Sequence, residues 1–227
     1  PKQNISWSYA KGVSDIKTNE VLNHQQPVLI ASNTKPYVAA SILRLVEKGQ
    51  VTINHPIKNL LSKKTRQLLE KDGYDLNAIT IKNLLSHTSG IQDYVDDAYF
   101  ELVNQHPKYK WTKAEQIKRA MEIGSPQKVG EKFSYGDINY LLLAEIIEQK
   151  THQPFYKAMR DLLKYKELGL TQTWFIDLEK YPQPTLPLAH QYSDKYKWDS
   201  YDLNPSWDLY GGGGIASTAK ETALFFQ

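Results

Sequence analysis

Residues 29–50 read LIASNTKPYVAASILRLVEKGQ, and this stretch decides the fold. A short apolar run that is typical of a strand leads into Ser32, Thr34 and Lys35, and then into an amphipathic pattern. The apolar residues that share one helical face in this pattern are Val38, Ile42, Leu45 and Val46. The spacing predicts a helix over 35–48, which ends at Gly49.

The polar start of this helix poses a chemical question. Serine and threonine are common there because their side chains satisfy free backbone N–H groups. Lys35 is unexpected because the positive end of the helix dipole disfavours a cation.

Ser32 and Lys35 are three residues apart, so their side chains can meet on one helical face. A serine needs a nearby base to become a nucleophile. Burial and the helix start both favour a lowered lysine pKa, which a lysine base requires. The S-x-x-K pattern alone is weak, and a capping serine beside a surface lysine is the alternative interpretation.

The composition excludes several classes of function. The chain has 227 residues, 41% of them apolar, which suits one large domain or two modest ones. Its net charge of +3 is mixed along the sequence, so we expect no nucleic-acid partner. The most basic segment, 108–119, carries Thr112 and Glu115 at capping-box spacing and indicates a solvated helix face.

No metal, cofactor or membrane span is expected. The chain has no cysteine, its six histidines lack metal-ligand spacing, and no G-K-[ST] follows the glycine run at 211–214. No apolar run approaches the ~20 residues of a membrane span. The chain opens at PKQNISWSYAKG without an initiator methionine, so the absence of a visible signal peptide decides little.

Further elements follow from local patterns. Alternation predicts a strand at Ile5 to Ala10, and polar residues at 80 and 218 predict helix starts. Residues 138–150 predict a helix that is buried on most sides. From Trp174 to Leu209 the chain is rich in Pro, Asp, Tyr and Trp, which indicates long ordered loops.

Four segments, in this order, carry a family resemblance. They are the stretch from LIASNTK to NHPIKNLL, LLSHTSGI at 84–91, FSYGDINYLLLAEIIE at 133–148 and GGGGIASTAKETALF at 211–225. Together they resemble the superfamily of serine β-lactamases and penicillin-binding proteins. The resemblance is closest to the group of class C β-lactamases, D-Ala-D-Ala carboxypeptidases and related esterases.

The resemblance implies a mixed α/β fold, in which an antiparallel sheet is flanked by helices. An incomplete α/β region would combine 1–55 with 208–227, and a mostly helical region, 56–207, would be inserted between them. Ser32 would lie in the cleft between the two regions.

The resemblance also implies the roles of the site residues. Ser32 would be the acylated nucleophile, Lys35 its general base, and Tyr135 a proton relay between the serine and the leaving group. Asp137, Gly212 and Gly213 would contact the substrate.

Two departures from the family pattern stand out. Asp137 replaces the asparagine of the Tyr-x-Asn motif. A carboxylate there would stabilise the Lys35 ammonium and weaken it as a base. The third motif, a K-T-G or H-x-G strand, is missing after Gly214, and the loss of its oxyanion-hole donor costs on the order of 10²–10³ in rate.

The sequence also ends inside an apolar helix pattern at 218–227. We therefore expect a fold that is incomplete at both ends, and an extension carrying the third motif is expected to restore activity. The unpaired edge at Ile5 to Ala10 would favour a homo-oligomer.

Two hypotheses of function remain open. The first is a serine hydrolase that forms an acyl-enzyme with a small-molecule or peptide substrate, namely a D-alanyl peptide, an ester or a β-lactam. The second is a catalytically weak penicillin-binding or peptidoglycan-sensing protein on the same fold. By resemblance, either one would be bacterial and lie outside the cytoplasm, in the periplasm or secreted.

Two other features have simpler interpretations. Ser86, His87 and Asp93 suggest a catalytic triad, but neighbours in one loop rarely point at each other, so we expect loop packing. The aromatic segment 192–210 predicts either packing or a wall of the substrate site.

Overall fold

Helices are the main regular structure of the computed structural model, which describes residues 7–227. The helices are α1 (Thr34–Glu47), α2 (Lys63–Lys71), α3 (Ile81–Leu85), α4 (Asp97–Gln105), α5 (Lys113–Ile123), α6 (Asp137–Thr151), α7 (Phe155–Leu162), α8 (Tyr165–Leu168) and α9 (Ala219–Phe225). The strands are β1 (Val13–Asp15), β2 (Glu20–Val21), β3 (Val28–Leu29), β4 (Trp174–Phe175), β5 (Tyr192–Ser193), β6 (Trp198–Asp199) and β7 (Ile215–Ser217).

Helix α6 is the centre of the core. It packs against α1, α3, α5 and α7, and every residue from 138 to 147 is buried. This environment explains why its sequence is apolar on all sides. Its buried carboxylate, Glu145, accepts hydrogen bonds from Ser62 N and Thr65 Oγ1, both at 2.8 Å. The prediction of a buried helix over 138–150 is confirmed.

Helix α1 carries the deciding stretch. It begins one residue before the predicted start, and the predicted face points into the core, with Val38, Ile42 and Leu45 buried. Gly49 follows with a φ of +67°, a backbone conformation that favours glycine. The start and stop signals of this helix therefore acted as expected.

Threonine caps define three further helices. Thr80 and Thr112 each form a capping box, with Asn83 and Glu115 respectively. Thr218 accepts a hydrogen bond from the backbone N–H of Glu221 at 3.2 Å. The predicted helix starts are confirmed, because each cap satisfies backbone donors at the first turn.

A three-stranded antiparallel sheet in the order β3-β7-β4 places the glycine run beside α1. Leu29 and Trp174 both pair with Ala216 on β7. The hairpins β1-β2 and β5-β6 form two smaller sheets. The mixed α/β class with antiparallel sheets is confirmed. The division into 1–55 with 208–227 and 56–207 stays a prediction, and β4 shows that the long middle stretch contributes to the same sheet.

The strand predicted at Ile5 to Ala10 is wrong where it can be tested. Residues 5 and 6 lie outside the described residues, and residues 7–10 have no strand structure. The Trp7 and Tyr9 rings stack on each other at 6.1 Å and are 82% and 68% exposed. Alternation alone does not form a strand, because a strand needs a hydrogen-bonding neighbour. The homo-oligomer, which was expected through this edge, stays a prediction.

The aromatic region from Trp174 to Leu209 is ordered, as predicted. The hairpin β5-β6 and two 3₁₀ turns, Ser200–Asp202 and Pro205–Asp208, give it structure. Its rings pack on α4, where Phe100 stacks on Tyr196 with the ring centroids 4.7 Å apart. Buried aromatic rings, and not a regular sheet, therefore keep these loops ordered.

The packing of α1 gives a stability prediction. Replacing the fully buried Ile42 with alanine should lower the free energy of unfolding by about 2–5 kcal/mol, because it leaves a cavity against the core. The neighbouring Leu43, which is 49% exposed, is the matched control, and Leu43→Ala should change stability by about 0.5 kcal/mol or less. Urea unfolding of both variants measures this, and equal losses would contradict the assigned face of α1.

Candidate active site

Ser32 lies exposed in a 3₁₀ turn, Ala31–Asn33, that leads directly into α1. Ala31 has a φ of +45°, which is strained for a residue with a side chain. The turn is fixed by the N–H of Ile30, which donates to Ile215 O at 2.9 Å, and by the N–H of Asn33, which donates to Ile30 O at 2.9 Å. Sheet and helix together therefore hold the serine hydroxyl at the surface of a helix start.

Lys35 is buried, and its ammonium has three oxygen partners. Nζ lies 3.1 Å from Ser32 Oγ, 2.8 Å from the carbonyl oxygen of Gly212 and 2.5 Å from Asp137 Oδ1. The side chain is only 5% exposed. The lysine therefore connects α1, the N-terminus of α6 and the glycine run at a single point.

The pKa of Lys35 is raised above its usual value. Burial lowers this pKa, but the ion pair and hydrogen bond with Asp137 outweigh burial. The lowered lysine pKa expected from burial and the helix start is therefore not found. The second expectation, that Asp137 would stabilise the ammonium, is confirmed.

Tyr135 completes the group of side chains around Ser32. Its Oη lies 2.9 Å from Ser32 Oγ, and Lys35 Nζ lies 4.9 Å from the centre of its ring. The side chain is half-exposed, so a ligand can reach the phenol. The three residues proposed as catalytic from the sequence therefore converge, although they come from the 3₁₀ turn before α1, from α1 and from the segment before α6.

The predicted substrate contacts at Asp137, Gly212 and Gly213 have internal partners. A Cβ on Gly212 would lie 2.9 Å from Asp137 Cγ, and one on Gly213 would lie 2.0 Å from the Asp208 carboxylate. Both glycines are buried, and the carbonyl of Gly212 already accepts from Lys35. Glycine is required here for close approach of the backbone, and contact of these residues with a substrate stays a prediction.

Two carboxylates whose role near Asp137 the sequence reasoning missed are Asp93 and Asp208. Asp93 Oδ1 accepts the N–H of Ile138 at 3.0 Å, so it supports the start of α6. Burial and the negative charge of Asp137 raise the pKa of Asp93 to about 6 and that of Asp208 to about 8. Asp208 precedes the glycine run by three residues, which was the one available signal.

Ser86, His87 and Asp93 do not form a triad. Ser86 Oγ donates to Lys82 O at 2.8 Å and lies 2.9 Å from Thr88 Oγ1. The Asp93 carboxylate accepts from the backbone N–H of Ile138 at the start of α6, and the His87 ring stacks against Tyr135. The interpretation of this segment as loop packing is confirmed for Ser86.

A cavity of about 330 Å³ lies beside the nucleophile turn. Ala31, Gly214 and Asp208 contribute to its wall, and the aromatic loop supplies Trp198, Tyr201 and Trp207. The aromatic loop therefore packs on the core and also lines a cavity. A role for this wall in substrate binding stays a prediction.

Residues 7–227 contain no group of three or more His, Asp or Glu side chains that could hold a metal ion. In the same part of the chain, no helix combines the length and the apolar character needed to cross a membrane.

Comparison with known proteins places these features in context. A family model described as Beta-lactamase matches residues 3–227. The putative penicillin-binding protein PbpX of Bacillus subtilis (strain 168) is 27% identical over 225 residues, which cover 99% of this chain and 50% of the relative. The esterase EstB of Burkholderia gladioli is 26% identical over 192 residues, which cover 77% of this chain and 45% of the relative. This chain therefore spans half or less of the length of these relatives.

The fold is shared with solved structures. A D-stereospecific amidohydrolase from Streptomyces sp. superposes with a TM-score of 0.74 and 25% identity, over 89% of this chain and 60% of that one. A penicillin-binding protein from Bacillus halodurans gives a TM-score of 0.74 at 20% identity, over 99% of this chain and 66% of that one.

The half-buried carboxylates Asp93 and Asp208 give a pH prediction. The pKa of Asp208 is raised in the folded state. Between about pH 4 and 8 the folded protein therefore keeps a proton that the unfolded chain has already lost. The contribution of Asp208 to stability is therefore fully present at low pH and is lost as pH rises towards about 8. Between pH 5 and 8 the free energy of unfolding of Asp208→Asn should rise, relative to that of the wild type, by at least about 1 kcal/mol, roughly the equivalent of one pKa unit.

Urea unfolding at a series of pH values measures this gain. The matched control is Asp202→Asn, an exposed carboxylate of the same loop, which should change stability little at any pH. A gain for Asp208→Asn that shrinks as pH rises would contradict the assignment.

Proposed function

This chain belongs to the Beta-lactamase family, and on that premise we propose that it is a serine hydrolase that forms an acyl-enzyme on Ser32. The observation that carries the proposal is the convergence of three side chains. Lys35 Nζ and Tyr135 Oη lie 3.1 Å and 2.9 Å from Ser32 Oγ, within hydrogen-bond reach of one nucleophile.

In the proposed acylation, Ser32 Oγ attacks the carbonyl carbon of an amide or ester. The serine proton passes to Tyr135 Oη, while the phenol proton passes to the departing nitrogen or oxygen. The relay conserves protons, so it needs no free base at the start. The Lys35 ammonium remains charged and stabilises the negative charge that develops on the serine and tyrosine oxygens.

In the proposed deacylation, the same relay runs with water. A water molecule attacks the acyl carbon, gives its proton to Tyr135 Oη, and Tyr135 returns a proton to Ser32 Oγ as the acid product leaves. In this proposal Lys35 is no longer the general base. Its ion pair with Asp137 keeps it charged in the free enzyme, so it acts on the reacting oxygens through its positive charge.

The names of the relatives support an amide or ester as the bond that is cleaved. One is named an esterase, one a D-stereospecific amidohydrolase and one a putative penicillin-binding protein. We therefore propose an amide or ester substrate, of which a D-alanyl peptide, a simple ester and a β-lactam are the candidates. Because one bacterial relative is named a putative penicillin-binding protein, we also propose a bacterial protein that is located outside the cytoplasm.

A second function is favoured by one observation. Asp137 keeps Lys35 charged, and a charged lysine cannot help to deprotonate the deacylating water. A protein that is acylated but rarely released would act as a penicillin-binding or peptidoglycan-sensing protein. The lifetime of the acyl-enzyme separates the two functions, since a hydrolase recovers free Ser32 and a sensor does not.

Covalent labelling tests the nucleophile. The native protein should react with a fluorescent fluorophosphonate or penicillin, and peptide mass spectrometry should place the adduct on Ser32. Ser32→Ala should abolish the labelling. The control is Ser86→Ala, which removes an exposed hydroxyl away from Ser32, Lys35 and Tyr135 and should retain the labelling. Labelling that survives in Ser32→Ala, or a wild-type protein that reacts with neither probe, would contradict the proposal.

Replacing Asp137 with asparagine tests the electrostatic role. The substitution removes the charge that raises the Lys35 pKa, and burial then lowers that pKa. Because the proposed relay uses the charged ammonium, the alkaline pH above which labelling slows should move down, since Lys35 loses its charge at a lower pH when its pKa is lower. Labelling rates from pH 6 to 10 measure this, with Asp202→Asn as control, and an unchanged profile would argue against the ion pair as the controlling interaction.

A further inference from the structure

His87 contacts three consecutive residues around the candidate catalytic tyrosine. Its carbonyl oxygen accepts the N–H of Ser134 at 2.8 Å, and its ring Nδ1 accepts the N–H of Gly136 at 3.2 Å. Between these two bonds the imidazole stacks on the ring of Tyr135, with centroids 4.5 Å apart and planes inclined by 29°. One residue therefore holds both flanks and the ring of Tyr135.

The hydrogen bonds of His87 fix its protonation state. Nδ1 faces the Gly136 N–H and, at 3.3 Å, the side-chain nitrogen of Asn139, so it must be an acceptor with the proton on Nε2. The orientation of the Asn139 amide is set by Ser89 Oγ, which donates to Asn139 Oδ1 at 2.6 Å. The contact with Ser89 therefore keeps the Asn139 side-chain N–H aimed at Nδ1, so that Nδ1 faces two donors, this N–H and the backbone N–H of Gly136.

The backbone of His87 argues for a side-chain role. His87 has a φ of +54°, in the left-handed region that glycine adopts freely and in which asparagine, aspartate and histidine are enriched. The turn therefore accepts several residue types, and the side-chain contacts distinguish histidine among them. Neither glycine nor asparagine could supply an aromatic face for Tyr135, whereas histidine supplies the face and the acceptor together.

We propose that His87 is a positioning residue that holds the Tyr135 phenol against Ser32 Oγ. The inference rests on the proposed function, since it assigns His87 a role only through Tyr135. The ring stack fixes the plane of the phenol, and the bonds to Ser134 and Gly136 fix the backbone that carries it. Displacement of a catalytic group by about 1 Å is enough to cost on the order of 10² in rate.

The positioning requires a neutral imidazole. A protonated His87 would present an N–H at Nδ1 to two other N–H groups, and the bond from Gly136 would be lost. Burial and the positive charge of Lys35 lower the pKa of His87, while Asp137 opposes them. The rings of Phe133, Tyr135 and Tyr140 lie against the imidazole. The charged groups that act on it are Lys35 and Asp137.

The test compares substitutions at two histidines that share the left-handed conformation. His87→Phe keeps a ring for Tyr135 and removes the acceptor, whereas His87→Asn keeps an acceptor oxygen and removes the stack. His152→Phe is the matched control, because His152 ends α6 with a φ of +55°. Each variant is assayed for kcat and KM with a p-nitrophenyl ester and for unfolding in urea.

The expected result is a fall in kcat of about 10- to 100-fold for His87→Phe, with a KM within about threefold of the wild type. His152→Phe should leave kcat unchanged. The wild-type kcat should also fall at acid pH together with the titration of the His87 ring, followed by ¹⁵N NMR, and His87→Phe should lack this acid limb. Equal kcat values for His87→Phe and His152→Phe would overturn the proposal.

The NMR measurement separates this inference from the proposed function. The Nε2–H tautomer of His87 is expected in the wild type whether or not the protein turns over an ester, and the Nδ1–H tautomer would overturn the positioning geometry. A wild-type protein without Ser32-dependent hydrolysis would instead overturn the proposed function. If His87→Phe does not fold, the agreement between the acid limb and the ring titration decides, and an acid limb that is independent of His87 counts against the proposal.

Discussion

The ion pair between Lys35 and Asp137 is the contact on which the architecture of the site depends. A buried ammonium is strongly unfavourable without partners, so the chain must bring oxygen atoms to Lys35 from other elements. The carboxylate comes from the first residue of α6, where the helix dipole also favours it, and the carbonyl comes from Gly212. Gly212 must be a glycine because Asp137 leaves no room for a side chain. One charge pair thus fixes the position of a helix start, a glycine run and the nucleophile.

The surrounding carboxylates adjust that pair. Asp93, Asp137 and Asp208 share a region with a single lysine, so full ionisation would leave an excess of negative charge in a poorly hydrated space. Protonation of Asp208 relieves this excess near neutral pH. The same excess keeps Lys35 charged, which means that the acidity of the site is a property of the cluster and not of one residue.

Local signals predicted the helices well and the site only in part. The apolar spacing of α1 and the threonine caps act within a few residues, so they could be read from the sequence. Ser32, Lys35 and Tyr135 were accessible because family motifs carry them. The roles of Asp93 and Asp208 were missed because they come from contacts between distant segments. The strand at Ile5 to Ala10 failed for the same reason, since pairing partners are not encoded in alternation.

The charge of Lys35 also decides between two routes for the proposed acylation. The ion pair with Asp137 holds the pKa of Lys35 above its usual value, so the neutral lysine is scarce at pH 7. General-base catalysis contributes about 10²–10⁴ in rate, and a base with so small a neutral fraction would lose most of that gain. A relay through Tyr135 avoids the loss, because the phenol gives up one proton as it receives another. The ammonium then acts throughout as a fixed positive charge beside the reacting oxygens. The replacement of the motif asparagine by Asp137 is consistent with this arrangement, in which the tyrosine moves the proton and the lysine holds its charge.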